Sequence, residues 1–196
     1  VITNCILTGN NSNSDGGGIA ALSSSAPVIT NCTIAANKAK YTGGGISVIS
    51  CPAIGIKNSV IWGNGSFGIS SFAVIPVSNC IVQGGYSGTN VFNVDPQFIN
   101  PQPASSAPTI QGDYRLQACS PAINIGNNAD IPSGITTDLD NNPRIAYTDV
   151  DLGAYEQQTN AYMNGNFTTW KGVNTNWHDK VNWCGGFIPT STVDVT

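Results

Sequence analysis

Val1-Ile2-Thr3-Asn4-Cys5 returns as Val28-Ile29-Thr30-Asn31-Cys32, then as Ile56-Lys57-Asn58-Ser59, then as Val77-Ser78-Asn79-Cys80, and the first two intervals are both 27 residues. A second marker keeps the same step. Gly16-Gly17-Gly18-Ile19 recurs as Gly43-Gly44-Gly45-Ile46, and the third copy has decayed to Gly65-Ser66-Phe67-Gly68-Ile69. Two markers in phase define a structural unit, and a period of this size signals a repeat architecture.

Between the markers no stretch carries apolar residues at helical spacing. Short Val/Ile/Thr runs, each broken by Asn or Gly, predict strands and bends. Aligning the copies puts Cys5, Cys32, Ser59 and Cys80 in one column and Leu7, Ile34, Ile61 and Val82 two residues later, the spacing of side chains that share a face of a strand. That face is predicted to be the interior. Asn before the Cys column suits a bend, because Asn tolerates left-handed backbone, and the stacked Asn side chains are expected to form a ladder. The pattern predicts an all-β chain, a right-handed parallel β-helix, whose four coils rise about 20 Å at the ordinary strand spacing. The chain starts at Val1 in mid-repeat, so more of it is expected at both ends, as a segment of a larger protein. Left uncovered, the first coil is expected to self-associate.

Composition fits an exported structural protein. Charged residues make up 9% and the net charge is −4. Seven basic residues scattered over 196 argue against nucleic acid, which demands clustered Lys and Arg. Disorder is excluded by 40% hydrophobic content in regular strands. No run approaches the ~20 apolar residues of a membrane-spanning helix. Of six cysteines, Cys5 and Cys32 read as buried thiols in adjacent coils, while Cys51, Cys119 and Cys184 lie outside that column and leave a bridge among them unassigned. Zinc is disfavoured, since no C-x-x-C pair occurs and His178 is the only histidine.

After Gly88 the repeat stops. Residues 89–158 read as the last coils and a C-terminal cap, and 159–196 as a linker and the start of a Trp-rich module. The former carries Asp95-Pro96-Gln97-Phe98, Asp113-Tyr114-Arg115-Leu116-Gln117, Ser120-Pro121-Ala122-Ile123-Asn124, Asp138-Leu139-Asp140-Asn141-Asn142-Pro143-Arg144 and Asp151-Leu152-Gly153-Ala154-Tyr155-Glu156. In that order these motifs resemble the C-terminal end of the bacterial surface β-helix proteins called choice-of-anchor Q domain proteins, related to pectin-lyase-like proteins. The resemblance covers about residues 1–158 and implies a large secreted protein, most members having no demonstrated activity. Tyr114, Leu116, Ile123 and Tyr155 are expected to lie against the β-helix interior or its rim, with Arg115 and Arg144 bonding carbonyls or Asp side chains. Trp170, Gly172, Trp177, Trp183, Gly186 and Pro189 resemble a module found beside the secretion signal of type IX secreted proteins. Its tryptophans read as a small β-domain core in preference to a sugar platform.

Chemistry is sparse. Glycoside hydrolysis needs two flanking carboxylates, and Asp15 is the only acid before Asn90. A lyase needs a base and a charge stabiliser. Lys38, Lys40 and Lys57 are bases by type, without accompanying acids, and read as solvated lysines. The one cofactor suggested is calcium, from the D-x-D-x-N run of Asp138, Asp140 and Asn142. An Asx-rich turn capping backbone amides is the favoured reading of those residues. The expected function is therefore a secreted or cell-surface, adhesin-like structural β-helix without catalysis. The alternative is a carbohydrate-active or carbohydrate-binding β-helix, lyase-like, acting on polysaccharide. Expected partners are surface glycans or other copies of itself.

Overall fold

The computed structural model describes residues 1–23, 26–51, 54–159, 167–186, 188–189 and 194–195. The chain is all-β, its described helical content confined to four short 3-10 turns. Its repeats stack as parallel ladders in which each strand pairs with its counterpart in the next repeat. One ladder joins Ile2–Thr3, Val28–Thr30, Gly55–Lys57 and the first half of Val77–Val82. A second joins Ile6–Thr8, Thr33–Ala35, Val60–Trp62 and the second half of Val77–Val82. A third joins Ile19–Leu22, Ile46–Ile49 and Ile69–Ser71, and a shorter one pairs Asn11–Ser12 with Lys38–Ala39. The step shortens along the chain. Ile29 pairs with Ile56 and Ile56 with Val77, steps of 27 and 21 residues, whereas Ser78 meets Thr89 after only 11.

The predicted interior columns are in place. Leu7 pairs with Ile34 and Ile34 with Ile61, and Ile29, Cys32, Ile34, Ile56, Ile61, Cys80 and Val82 share one apolar cluster from which water is excluded. Tyr86, in the short return after Val82, packs against this cluster; its hydroxyl accepts from Ile75 N at 3.3 Å and donates to Ala73 O at 3.4 Å.

The bend before each Cys or Ser has a common construction. Asn4, Asn31, Asn58, Asn79 and Asn90 all have φ between 46° and 55°, the left-handed region. The next residue then donates to the carbonyl two positions earlier: Cys5 to Thr3 O, Cys32 to Thr30 O, Ser59 to Lys57 O and Cys80 to Ser78 O. Cys and Ser alternate there because both are small and both can close this bend.

In the expected column only the last two amides are linked, Asn90 donating Nδ2 to Asn79 Oδ1 at 3.0 Å, and a longer amide ladder runs along a different column. Asn4, Asn31, Asn58 and Asn79 stack, but the first and third turn their amides outward, to Thr137 O and to the backbone of Asn127. The longer row of linked amides is that of Asn10, Asn37 and Asn64. Asn10 donates Nδ2 to Asn37 Oδ1, Asn37 donates Nδ2 to Asn64 Oδ1, and each acceptor also takes a backbone N–H from the repeat before it. The glycine column lies against this ladder. A Cβ on Gly44 would stand 1.5 Å from Gly65 O, and one on Gly45 2.4 Å from Gly68 O, so side chains are excluded where successive repeats touch.

A second core lies outside the second ladder. Val60, Ile81 and Ala35 point away from the interior and pack with Phe98, Tyr114, Leu116, Ala122, Ile123 and Leu152. Tyr114, Leu116, Ile123 and Tyr155 thus cover the outer face of the sheet, where the interior or its rim was expected. The reason is parity: positions alternating with the interior column are themselves apolar, so this ladder is buried on both faces.

The two asparagine columns should respond differently to mutation. Asn37→Ala removes four side-chain hydrogen bonds in a buried row and is expected to lower the unfolding free energy by roughly 3 kcal/mol. Asn31→Gly keeps the left-handed bend and deletes a buried amide whose two polar atoms find no partner among the described residues, so stability should hold or rise by up to about 1 kcal/mol. Urea titration of both variants checks the contrast.

Candidate functional site

Polar chemistry concentrates where residues 89–158 are fastened to the outside of the repeats. Lys57 extends from the first ladder to Asp130 at 2.6 Å. Asn58 exchanges two bonds with Asn127, Gly153 N donates to Asn58 O, and Ala154 N donates to Thr33 Oγ1. Thr109 N reaches Gly9 O in the first repeat.

At the centre of this seam is a buried arginine. Arg144, 1% exposed, donates Nη2 to Asp151 O and Gly153 O, each at 2.9 Å, and approaches Glu156 Oε2 at 3.8 Å. Its Nη1 reaches Asn4 Oδ1 at 3.4 Å. Three buried acids surround it. Asp151 accepts from Asn124 N and Gln157 N at 2.7 Å each, and Glu156 accepts from Ala146 N and Asp151 N. Asp138 accepts from Asp140 N, Asn142 N and Glu156 N. Burial pushes Asp151 up to about 7 against the pull of its amide donors and Arg144. Burial, reinforced by the neighbouring Asp151, pushes Glu156 up to about 8. One guanidinium cannot neutralise three buried carboxylates, so the cluster favours holding a proton.

The calcium trio does not converge. Asp138 spends both carboxylate oxygens on three backbone amides, as the cap of an Asx-rich turn. Asp140 pairs with Arg115 Nε at 2.6 Å, and Arg115 also meets Asp113 and stacks over the Tyr155 ring. The donor set therefore does not fit a calcium ion, and no group of three His, Cys, Asp or Glu side chains among the described residues is placed to hold a metal. Lys38 and Lys40 are exposed, Lys40 lying 5.1 Å from the Tyr41 ring.

Cys119 and Cys184 form a disulfide, joining residues 89–158 to the Trp-rich segment. Cys32 and Cys80 remain thiols; burial pushes them up to about 11 and about 12, which leaves them unreactive at neutral pH. Trp183 is fully buried between Trp170 and Trp177, at ring distances of 4.8 Å and 4.5 Å, an aromatic core for that segment. Residues 160–166 and 190–193, on which parts of the linker and module readings fall, lie outside the described residues. Between this segment and the last repeat lies a polar cleft of about 330 Å³, its walls including Asn90, Phe92, Asn176, His178, Asp179 and Lys180. Lys180 pairs with Asp149 at its rim.

Sequence reading placed Arg144 among carbonyls and Asp side chains correctly, but the apolar floor beneath it was missed. The signal was available: Val60-Ile61-Trp62 and Cys80-Ile81-Val82 are unbroken apolar runs, which mark strands covered on both faces. No protein-family model, curated protein or solved structure matches this chain.

The acid cluster carries a signed pH dependence. Unfolded, Asp151 and Glu156 titrate at their ordinary values of 3.8 and 4.5; folded, both are raised. The native state therefore holds more protons between about pH 4 and pH 8, and its stability falls as pH rises through that window. Thermal melts from pH 5 to pH 8 should show a declining Tm, and Glu156→Gln should flatten the decline. A Tm that climbs with pH would contradict the raised carboxylates.

Proposed function

We propose that the stacked ladders are the walls of a right-handed parallel β-helix belonging to a secreted or cell-surface protein, and that its role is structural and adhesin-like. The observation carrying this reading is where the reactive side chains go. Lys57 with Asp130, and Arg144 with Asn4, tie residues 89–158 to the repeats, while Asp138, Asp151 and Glu156 are spent on the backbone amides of residues 89–158 themselves, and a group committed to structure is a poor acid, base or charge stabiliser. The Cys119–Cys184 bridge supports export to an oxidising compartment. The motif order that resembles choice-of-anchor Q proteins, and the tryptophan spacing that resembles a type IX secretion module, support a bacterial surface setting.

A second reading is carbohydrate binding, favoured by the cleft that Phe92 lines together with Asn90, Asn176, His178 and Lys180. It places the ligand at the seam with the Trp-rich segment, away from the long sides of the repeats.

Incubation with pectate, alginate and neutral glycans separates the readings. The structural reading expects no unsaturated or reducing ends and no saturable binding. Binding lost in Phe92→Ala would favour the second. Turnover abolished by Lys57→Ala, with folding intact by circular dichroism, would overturn the non-catalytic reading.

A further inference from the structure

We propose that the strand Ile69–Ser71, with the apolar surface around it, pairs antiparallel with the same strand of a second copy of this chain. The inference begins with the shortened step. The third ladder receives a strand from each of the first three repeats, but the return from Val82 to Thr89 is too short to supply a fourth. Ile69–Ser71 is therefore the last strand of its sheet, whose order ends there.

Its backbone polarity is fixed by the register. Ile46 N donates to Gly68 O, and Ile69 pairs with Ile46, so residues 68 and 70 face the neighbouring strand. By the alternation of a parallel ladder, Ile69 and Ser71 direct their N–H and C=O groups away from it. Among the described residues no backbone partner receives them. An open edge of this kind recruits another strand, and proteins that keep an edge single protect it with charge or proline. Here the opposite is found. Phe72 is 93% exposed, Val74 78% and Phe67 70%, and an apolar groove of about 360 Å³ runs beside them between Val48, Cys51, Ser71 and Phe72.

Charge selects the occupant. Residues 58–94 contain no Asp, Glu, Lys, Arg or His, while the chain as a whole carries −4. Two identical acidic chains can meet at this surface without opposing like charges, and interface cores are depleted of charge and rich in aromatics. A strand that pairs with its own copy about a twofold axis must run antiparallel, which buries each Phe72 against the partner surface and uses the same patch twice.

Sedimentation of the whole chain tests this. A reversible dimer is expected, with its dissociation constant raised roughly tenfold or more in Phe72→Lys and Ser70→Lys. Melting temperatures measured at concentrations where the parent is monomeric should be unchanged, since neither side chain is buried, and Ile110→Lys, at another exposed apolar site, should dimerise like the parent. Ser70→Cys should cross-link into a covalent dimer on mild oxidation. A chain that stays monomeric, a dimer insensitive to Phe72→Lys, or an open-ended polymer formed by pairing Ile69–Ser71 with the first repeat would each overturn the proposal.

Discussion

Everything in the repeats follows from one requirement, that each residue hydrogen-bond to its counterpart in the next repeat. Such pairing repeats a local conformation at every level, so any residue that strains the backbone once strains it in each copy. The left-handed bend is accordingly filled by Asn every time, and in the first four copies the position after it by Cys or Ser, which close the bend on the carbonyl two residues back. Where repeats touch most closely, only Gly fits, because a Cβ would enter the carbonyl of the next repeat. The Asn10, Asn37 and Asn64 row then satisfies polar groups that this close packing buries.

A stack of short strands with a narrow interior buries little apolar surface per repeat, and the chain compensates by using the second ladder twice. Ile34, Ile61 and Val82 line the interior, while Val60 and Ile81 form the floor of the outer core. Burying that outer face also buries the polar bends beside it. Arg144 answers the buried carbonyls of Asp151 and Gly153 and the side-chain amide oxygen of Asn4, and the three acids answer backbone N–H groups of the irregular segment. The charges in the seam are thus a consequence of covering a sheet with chain that has no regular structure of its own.

Legibility in the sequence divides along the same line. The interior columns, the bends and the all-β class were readable because they recur, and recurrence turns one ambiguous residue into a column of three or four. Residues 89–158 occur once, so Tyr114 and Leu116 could be recognised as apolar without any indication of which face they cover. The Asn10, Asn37 and Asn64 row recurs too, yet was passed over because the bend residue before it is not constant: Gly9, Ala36 and Gly63. The Asp138, Asp140 and Asn142 run shows why spacing alone left two readings, calcium or an Asx-rich turn, of which the turn was favoured. Asp138 and Asp140 alternate as ligands would, but backbone amides claim the first and Arg115 the second.

The shrinking step explains why the regular part stops where it does. A 27-residue repeat has room for strands in all the ladders, a 21-residue repeat for fewer, and an 11-residue return for a single strand pair. With fewer residues in each repeat, less chain is left to cover the shared apolar cluster, and Tyr86 packs against it with one large side chain anchored by its hydroxyl. The ladders therefore end at different heights. The two that continue into Val77–Val82 are covered by Thr89–Phe92 and by the outer core, while the third ends a repeat earlier at Ile69–Ser71. The same shortening that puts Tyr86 against the apolar cluster leaves that strand at the edge of its sheet, so covering the core and exposing the edge are two results of one change in repeat length.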